Sequence, residues 1–225
     1  MIAAFAALGG AALVVGLKAR GVFGEGLPAR VRAAAALWVV AGAGFWLALQ
    51  QLGFDPTAIG LTTFGWRQAG LGVLFGVLGI ASMPLYILAA RKLGVAAHNA
   101  EALATLAAAP LPQRLFLLAT AGVIEEAIFR AVGIGALIAA GWPHALAVAL
   151  PLAVFVVLHK SSWGAVHLIF VAVAGGLMTA AFLLGGIWAA IVAHLIVDAP
   201  MMLAGKAMVR RGPKSLPENA PPQIR

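Results

Sequence analysis

The chain has 225 residues, 63% of them hydrophobic and 10% charged, with a mean hydropathy of +1.03. A soluble domain carries about 25% charged residues, so this chain has too little polar side chain to cover a water-facing surface, and soluble folds are excluded. The net charge is +8, but the Lys and Arg residues fall in short stretches between apolar runs. There is no basic face interleaved with stacking aromatics, which excludes nucleic acid as a partner.

A membrane-crossing helix needs roughly 17–25 mostly apolar residues. Seven candidates follow in chain order, and the expected fold is all-α, a polytopic transmembrane helical bundle of seven to eight spans. The first is about 2–17. It reads as a span and not as a cleaved signal peptide, because no basic region precedes it and Lys18 and Arg20 follow at once. The second is about 33–53, after a basic stretch ending in Arg30 and Arg32. A turn at Asp55-Pro56 and then Arg67 lead to the third, about 69–90, which Arg91-Lys92 ends.

Residues 91–114 are mixed, with His98, Asn99, Glu101 and Arg114, and are expected to hold a short surface helix. The fourth span is about 115–140, closed by Gly141-Trp142-Pro143. The fifth is about 144–159, the sixth about 163–184, and the seventh about 187–205 after a break at Gly185-Gly186. Residues 1–205 read as one transmembrane domain, and 206–225 as a flexible basic tail. The basic segments fall on one side if there are seven spans. The positive-inside rule then gives an outside N-terminus and a cytoplasmic C-terminus, and compactness with Ala, Gly and Arg richness makes a bacterial inner membrane the expected location.

A charged group at mid-bilayer costs about 2.5–3.5 kcal/mol on insertion scales. The fourth span nevertheless holds Glu125, Glu126 and Arg130, the fifth ends at His159, and the seventh holds His194 and Asp198. Glu126 and Arg130 are four residues apart and share a helix face, as are His194 and Asp198. In an α-helix Glu125 lies about 100° round from Glu126, so the two carboxylates are expected to take different roles. By helical rise Glu125 lies roughly 16 Å from Arg114, and His194 and Asp198 roughly 18 and 12 Å from Lys206. All three spans therefore place their ionisable groups in the half nearer the basic loops.

The bland alternative is a structural ion pair at Glu126–Arg130 and a packing hydrogen bond at His194–Asp198. His98 and His144 read as solvated, and His167 as a packing residue. A carboxylate in a low-dielectric cavity suits a general base. With imidazoles beside it, the ingredients for water activation and oxyanion stabilisation are present. That chemistry fits amide hydrolysis in a membrane-embedded substrate, and a proton-coupled transporter uses similar residues. The chain has no cysteine, no His-Glu-x-x-His, no Gly-x-Ser-x-Gly and one Asp in a span, which leaves out thiol, zincin-type, serine and aspartyl-pair sites.

The stretch Glu125-Glu126-Ala-Ile-Phe-Arg130 resembles the Glu-Glu-x-x-x-Arg motif of the CPBP family, the CAAX proteases and bacteriocin-processing enzymes also called Abi. Phe155-Val-Val-Leu-His159 is similar to that family's Phe-x-x-x-His, and His194-Leu-Ile-Val-Asp198 to its His-x-x-x-Asn or Asp. Gly185-Gly186-Ile187-Trp188 is similar to the usual lead-in to the last motif. The resemblance covers about 115–205. It implies an intramembrane endopeptidase acting on a membrane-anchored or lipidated substrate in the lipid bilayer. Carried over by motif, Glu125 and His159 activate a water, His194 and Asp198 stabilise the oxyanion, Glu126 and Arg130 support the site, and Phe155 shapes the pocket. Asp198 stands where many members carry Asn, which adds charge to the site. A metal-free glutamate mechanism is the expectation; the alternative is zinc held by Glu125, His159 and His194. A non-catalytic scaffold or immunity protein of the same fold is the competing function.

Overall fold

The computed structural model describes residues 1–94, 100–163 and 167–210. Helices α1 (Ile2–Ala19) and α2 (Gly26–Gln51) form the first pair. A one-turn 3₁₀ helix, Pro56–Ile59, leads to α3 (Trp66–Lys92), and α4 (Ala100–Ala108) follows. Helix α5 runs over 111–139. It starts as Leu111–Ala119, passes through π-helical turns Thr120–Glu125 and Ala127–Gly135, and ends in Ala136–Ala139. Helix α6 is His144–Trp163. The stretch His167–Arg210 is broken at Gly186 into α7 (167–185) and α8 (187–210). Among the described residues there is no strand.

Among the described residues, four stretches are long and apolar enough to cross a bilayer: Ile2–Ala19, Gly26–Gln51, Trp66–Lys92 and His167–Leu203, with His144–Lys160 a shorter apolar helix. The chain is an integral membrane protein, and its surface agrees. Helix α3 buries Gly72, Gly76, Gly79, Tyr86 and Ala90, while its Val73, Leu74, Val77, Leu78, Leu85 and Leu88 are exposed. In water this arrangement would be inverted. In lipid, outward aliphatics cost nothing and small residues let backbones approach.

The approach is close. A Cβ on Gly72 would lie 2.5 Å from Val192 Cβ, and one on Gly76 2.8 Å from Ile196 Cβ and 3.1 Å from Ala193 O. Gly76→Val is therefore expected to push α3 off α8, at a cost of about 1–3 kcal/mol. Denaturant titration in micelles measures it, and an unchanged midpoint would contradict this packing.

Several expectations shift. Helix α2 begins at Gly26 and not near residue 33, so Arg30 and Arg32 lie on its first turns and not in a loop. Helix α6 continues past His159 to Trp163, so Trp163 ends one helix and does not begin the next. Helix α4 is no surface helix: Leu106 and Ala107 are buried, and Leu106 packs with Leu118 and Met202. His98, the side chain of Glu101 and the tail beyond Arg210 lie outside the described residues. The break at Gly185-Gly186 is found as expected. Gly186 has φ 73° and ψ −169°, a region open to glycine alone, and a Cβ there would lie 2.5 Å from Gly60 O.

The two ends of the bundle differ. At one end the 52–65 segment closes the bundle. Ile187 N donates to Gly60 O at 2.9 Å, Trp188 Nε1 to Thr62 O at 2.7 Å, and Arg67 Nη2 to Leu184 O at 3.0 Å. Asp55 caps the 3₁₀ turn, and hydrogen bonds from the Thr57 hydroxyl and amide hold its carboxyl below the usual carboxylate range. Exposed Trp46, Phe54, Phe64 and Trp66 gather at this end, as an interfacial aromatic belt does. At the other end lie Lys18, Arg30, Arg91, Lys92, Arg114 and Lys160.

Candidate active site

A cavity of about 270 Å³ opens among the helices at the basic end. Glu125, His159, His194 and Asp198 line it. Glu126 and Arg130 do not; they lie behind it, 0% and 1% exposed. The six ionisable residues therefore divide into four that face the cavity and two that support them.

The supporting pair is built on α5. Arg130 Nη1 donates to Glu126 Oε1 at 2.9 Å, and Arg130 Nη2 to Gly175 O of α7 at 2.9 Å. The same Glu126 oxygen lies 2.6 Å from His194 Nδ1 on α8. A carboxylate paired with Arg130 only accepts, so Nδ1 carries the hydrogen. One buried carboxylate oxygen thus ties α8 to α5 and fixes the orientation of the His194 ring. The close approach this needs is provided by Gly122, where any Cβ would clash with the Leu195 side chain next to His194.

The other His194 nitrogen, Nε2, is 3.5 Å from Asp198 Oδ2. With Nδ1 already the donor, a neutral ring offers only a lone pair there. A proton between Nε2 and Asp198 serves both groups. His159 Nδ1 donates to Phe155 O at 2.7 Å, because a carbonyl can only accept. Its Nε2 is then turned toward Glu125 Oε2, at 3.8 Å. Glu125 Oε2 is buried and makes no hydrogen bond. Its residue lines the cavity.

The π-helical register of α5 departs from the α-helical expectation. Hydrogen bonds to the fifth residue give roughly 4.4 residues per turn, or about 80° per residue. Glu125 and Glu126 still diverge, and Glu126 and Arg130 still share a face, so the division of roles survives the change of helix type. Such turns are frequent at functional sites.

His167 reads from the sequence as a packing residue. It does pack, edge-on to Tyr86 at 5.8 Å and beside Phe170 at 5.6 Å, but it also lines the cavity. His144 is exposed at the start of α6, away from the site. Sequence reasoning missed Gly175, whose carbonyl accepts from both Arg130 and Thr179, the latter at 2.8 Å. A Gly-Gly pair inside an apolar run was the available signal. It also missed the walls supplied by α1 to α4, where Val14, Lys18, Arg30, Met83 and Leu106 line the cavity.

Among the described residues no three His, Asp or Glu side chains are grouped to hold a metal ion. Both ring nitrogens of His194 face carboxylates, so it is not directed to a centre shared with Glu125 and His159.

No curated protein and no solved structure matches the chain. Residues 107–200, the stretch that holds all three motifs and all six ionisable residues, match the family model described as Rce1-like, type II CAAX prenyl endopeptidase.

Proposed function

We propose that this protein is an intramembrane endopeptidase that hydrolyses a peptide bond of a membrane-anchored or lipidated protein with a water activated by Glu125. The observation that carries the reading is Glu125, which lines the cavity with an Oε2 that makes no hydrogen bond and lies 3.8 Å from His159 Nε2. The match of residues 107–200 to a protease family supports it.

In this mechanism Glu125 takes a proton from the water as its oxygen attacks the scissile carbonyl carbon. The carbonyl oxygen gains charge and is met by the proton held between His194 Nε2 and Asp198. Glu126 and Arg130 stay paired and keep the His194 ring in place. As the C–N bond breaks, the departing amine takes the proton that Glu125 collected, and His159 Nε2, whose lone pair accepts a hydrogen bond, helps hold the attacking water. Preorganised donors of this kind are worth about 2.7–4 kcal/mol each in other hydrolases.

The membrane arrangement is part of the proposal. Seven crossings are counted by taking α1, α2, α3, α5, α6, α7 and α8 as spans, α7 and α8 being separated by the Gly186 break. Helix α4 then lies within the bundle without crossing. Residues 1–205 act as one domain, and the basic end, the cavity and the 206–225 tail face the cytoplasm of a bacterial cell.

The test uses the full chain in proteoliposomes with a panel of membrane-anchored peptide reporters. Cleavage is expected, to persist in excess zinc chelator, and to be lost in His159→Ala. Chelator-sensitive cleavage would overturn the metal-free mechanism. A fully active His159→Ala would overturn the role of that residue. Absence of cleavage across the panel, with full complementation of a deletion strain by Glu125→Gln, would favour the scaffold reading.

A further inference from the structure

One aromatic ring meets three of the six ionisable residues of the site. Phe155 of α6 is buried, and the Arg130 guanidinium carbon sits over its ring, 4.5 Å from the centroid. On the other side the ring meets His159 at 4.5 Å, and its edge relation to His194 is 6.4 Å. Phe129, from the π-helical turn, meets it edge-on at 5.1 Å. The Phe155 carbonyl accepts the His159 Nδ1 hydrogen at 2.7 Å. Gly175 of α7 closes the stack from behind: a Cβ there would lie 3.1 Å from Phe155 Cδ1 and Cε1.

We propose that Phe155 is a positioning residue that aligns His159 on Glu125 and Arg130 on Glu126, acting through the negative face of its ring as well as its shape. The proposal deepens, and rests on, the endopeptidase reading. An aliphatic side chain of similar volume would fill the space, but it would offer no quadrupole to the guanidinium. Arg130 would then be free to rotate away from Glu126 Oε1, the oxygen that also orients His194. His159 meets the same ring at a tilt and His194 meets it edge-on, so both imidazoles depend on one side chain. Misalignment of this size slows chemistry without weakening substrate binding.

The test replaces Phe155 in the full chain, in lipid nanodiscs, with progressively fluorinated phenylalanines, which keep the ring's shape and drain its negative face. Phe155→Leu and Gly175→Ala are made beside them. Cleavage of a membrane-anchored peptide gives kcat and KM, and ¹⁵N-histidine spectra report the rings of His159 and His194. The expected result is a stepwise fall in kcat with fluorination, about tenfold over the series, with KM and thermal stability unchanged. Phe155→Leu should fall at least as far, and Gly175→Ala should move both imidazole resonances. A kcat flat across the fluorinated series, with unmoved resonances, overturns the proposal. If the wild type cleaves nothing, the endopeptidase reading has failed. The resonances then decide separately: shifts that track fluorination support the alignment role, and fixed resonances refute it.

Discussion

Glu125→Gln is expected to lower kcat by about 10³-fold or more while leaving the fold and the substrate KM unchanged. General-base catalysis contributes roughly 10²–10⁴, and an amide at this position accepts no proton. The stability expectation follows from the geometry. Glu125 Oε2 makes no hydrogen bond, and His159 Nε2 is 3.8 Å away. Gln is nearly isosteric, so little is lost on folding. Single-turnover cleavage in proteoliposomes, with a thermal melt of the same sample, separates the two effects. A variant that melts normally and cleaves at wild-type rate would remove Glu125 from the mechanism.

The neighbouring carboxylate gives the opposite pattern. Glu126→Ala is expected to cost about 3–5 kcal/mol of stability, the usual consequence of stranding one partner of a buried ion pair. Arg130, 1% exposed, would keep only Gly175 O and the Phe155 ring as partners. His194 would lose the acceptor that fixes its ring, so the residual folded protein should also be inactive. Glu126→Gln keeps an acceptor and should fall between. Reversible unfolding in mixed micelles measures the series. A loss below about 1 kcal/mol for Glu126→Ala would show that the buried pair is not what holds α5 to α8. Adjacent residues with such different outcomes would separate reaction from scaffold.

That separation was partly legible in the sequence. Adjacent carboxylates on a helix diverge, and residues four apart converge, so the Glu126–Arg130 and His194–Asp198 pairs could be written down in advance. The break at Gly185-Gly186 and the stop at Arg91-Lys92 were equally plain. The link between His194 and Glu126 was not, because it crosses from α8 to α5 and depends on Gly122 admitting Leu195. The π-helical turns left no trace in the pattern either. In a chain this apolar, hydrophobic residues fill both lipid-facing and core-facing positions, so the periodicity that reveals a helix face in a soluble protein is faint. The same uniformity blurred the ends of α2 and α6. The cavity wall from α1 to α4 stayed hidden because Lys18 and Arg30 read simply as loop charges that set orientation.

The strap at residues 52–65 bears on traffic through the molecule. It ties down one end of the bundle by hydrogen bonds with Ile187 and Trp188, while the site cavity lies toward the other. Under the proposed function, a peptide is reached from the compartment that the basic end faces. Insertion topology becomes a substrate filter: two proteins with identical cleavable segments would meet different fates according to which side of the bilayer displays them.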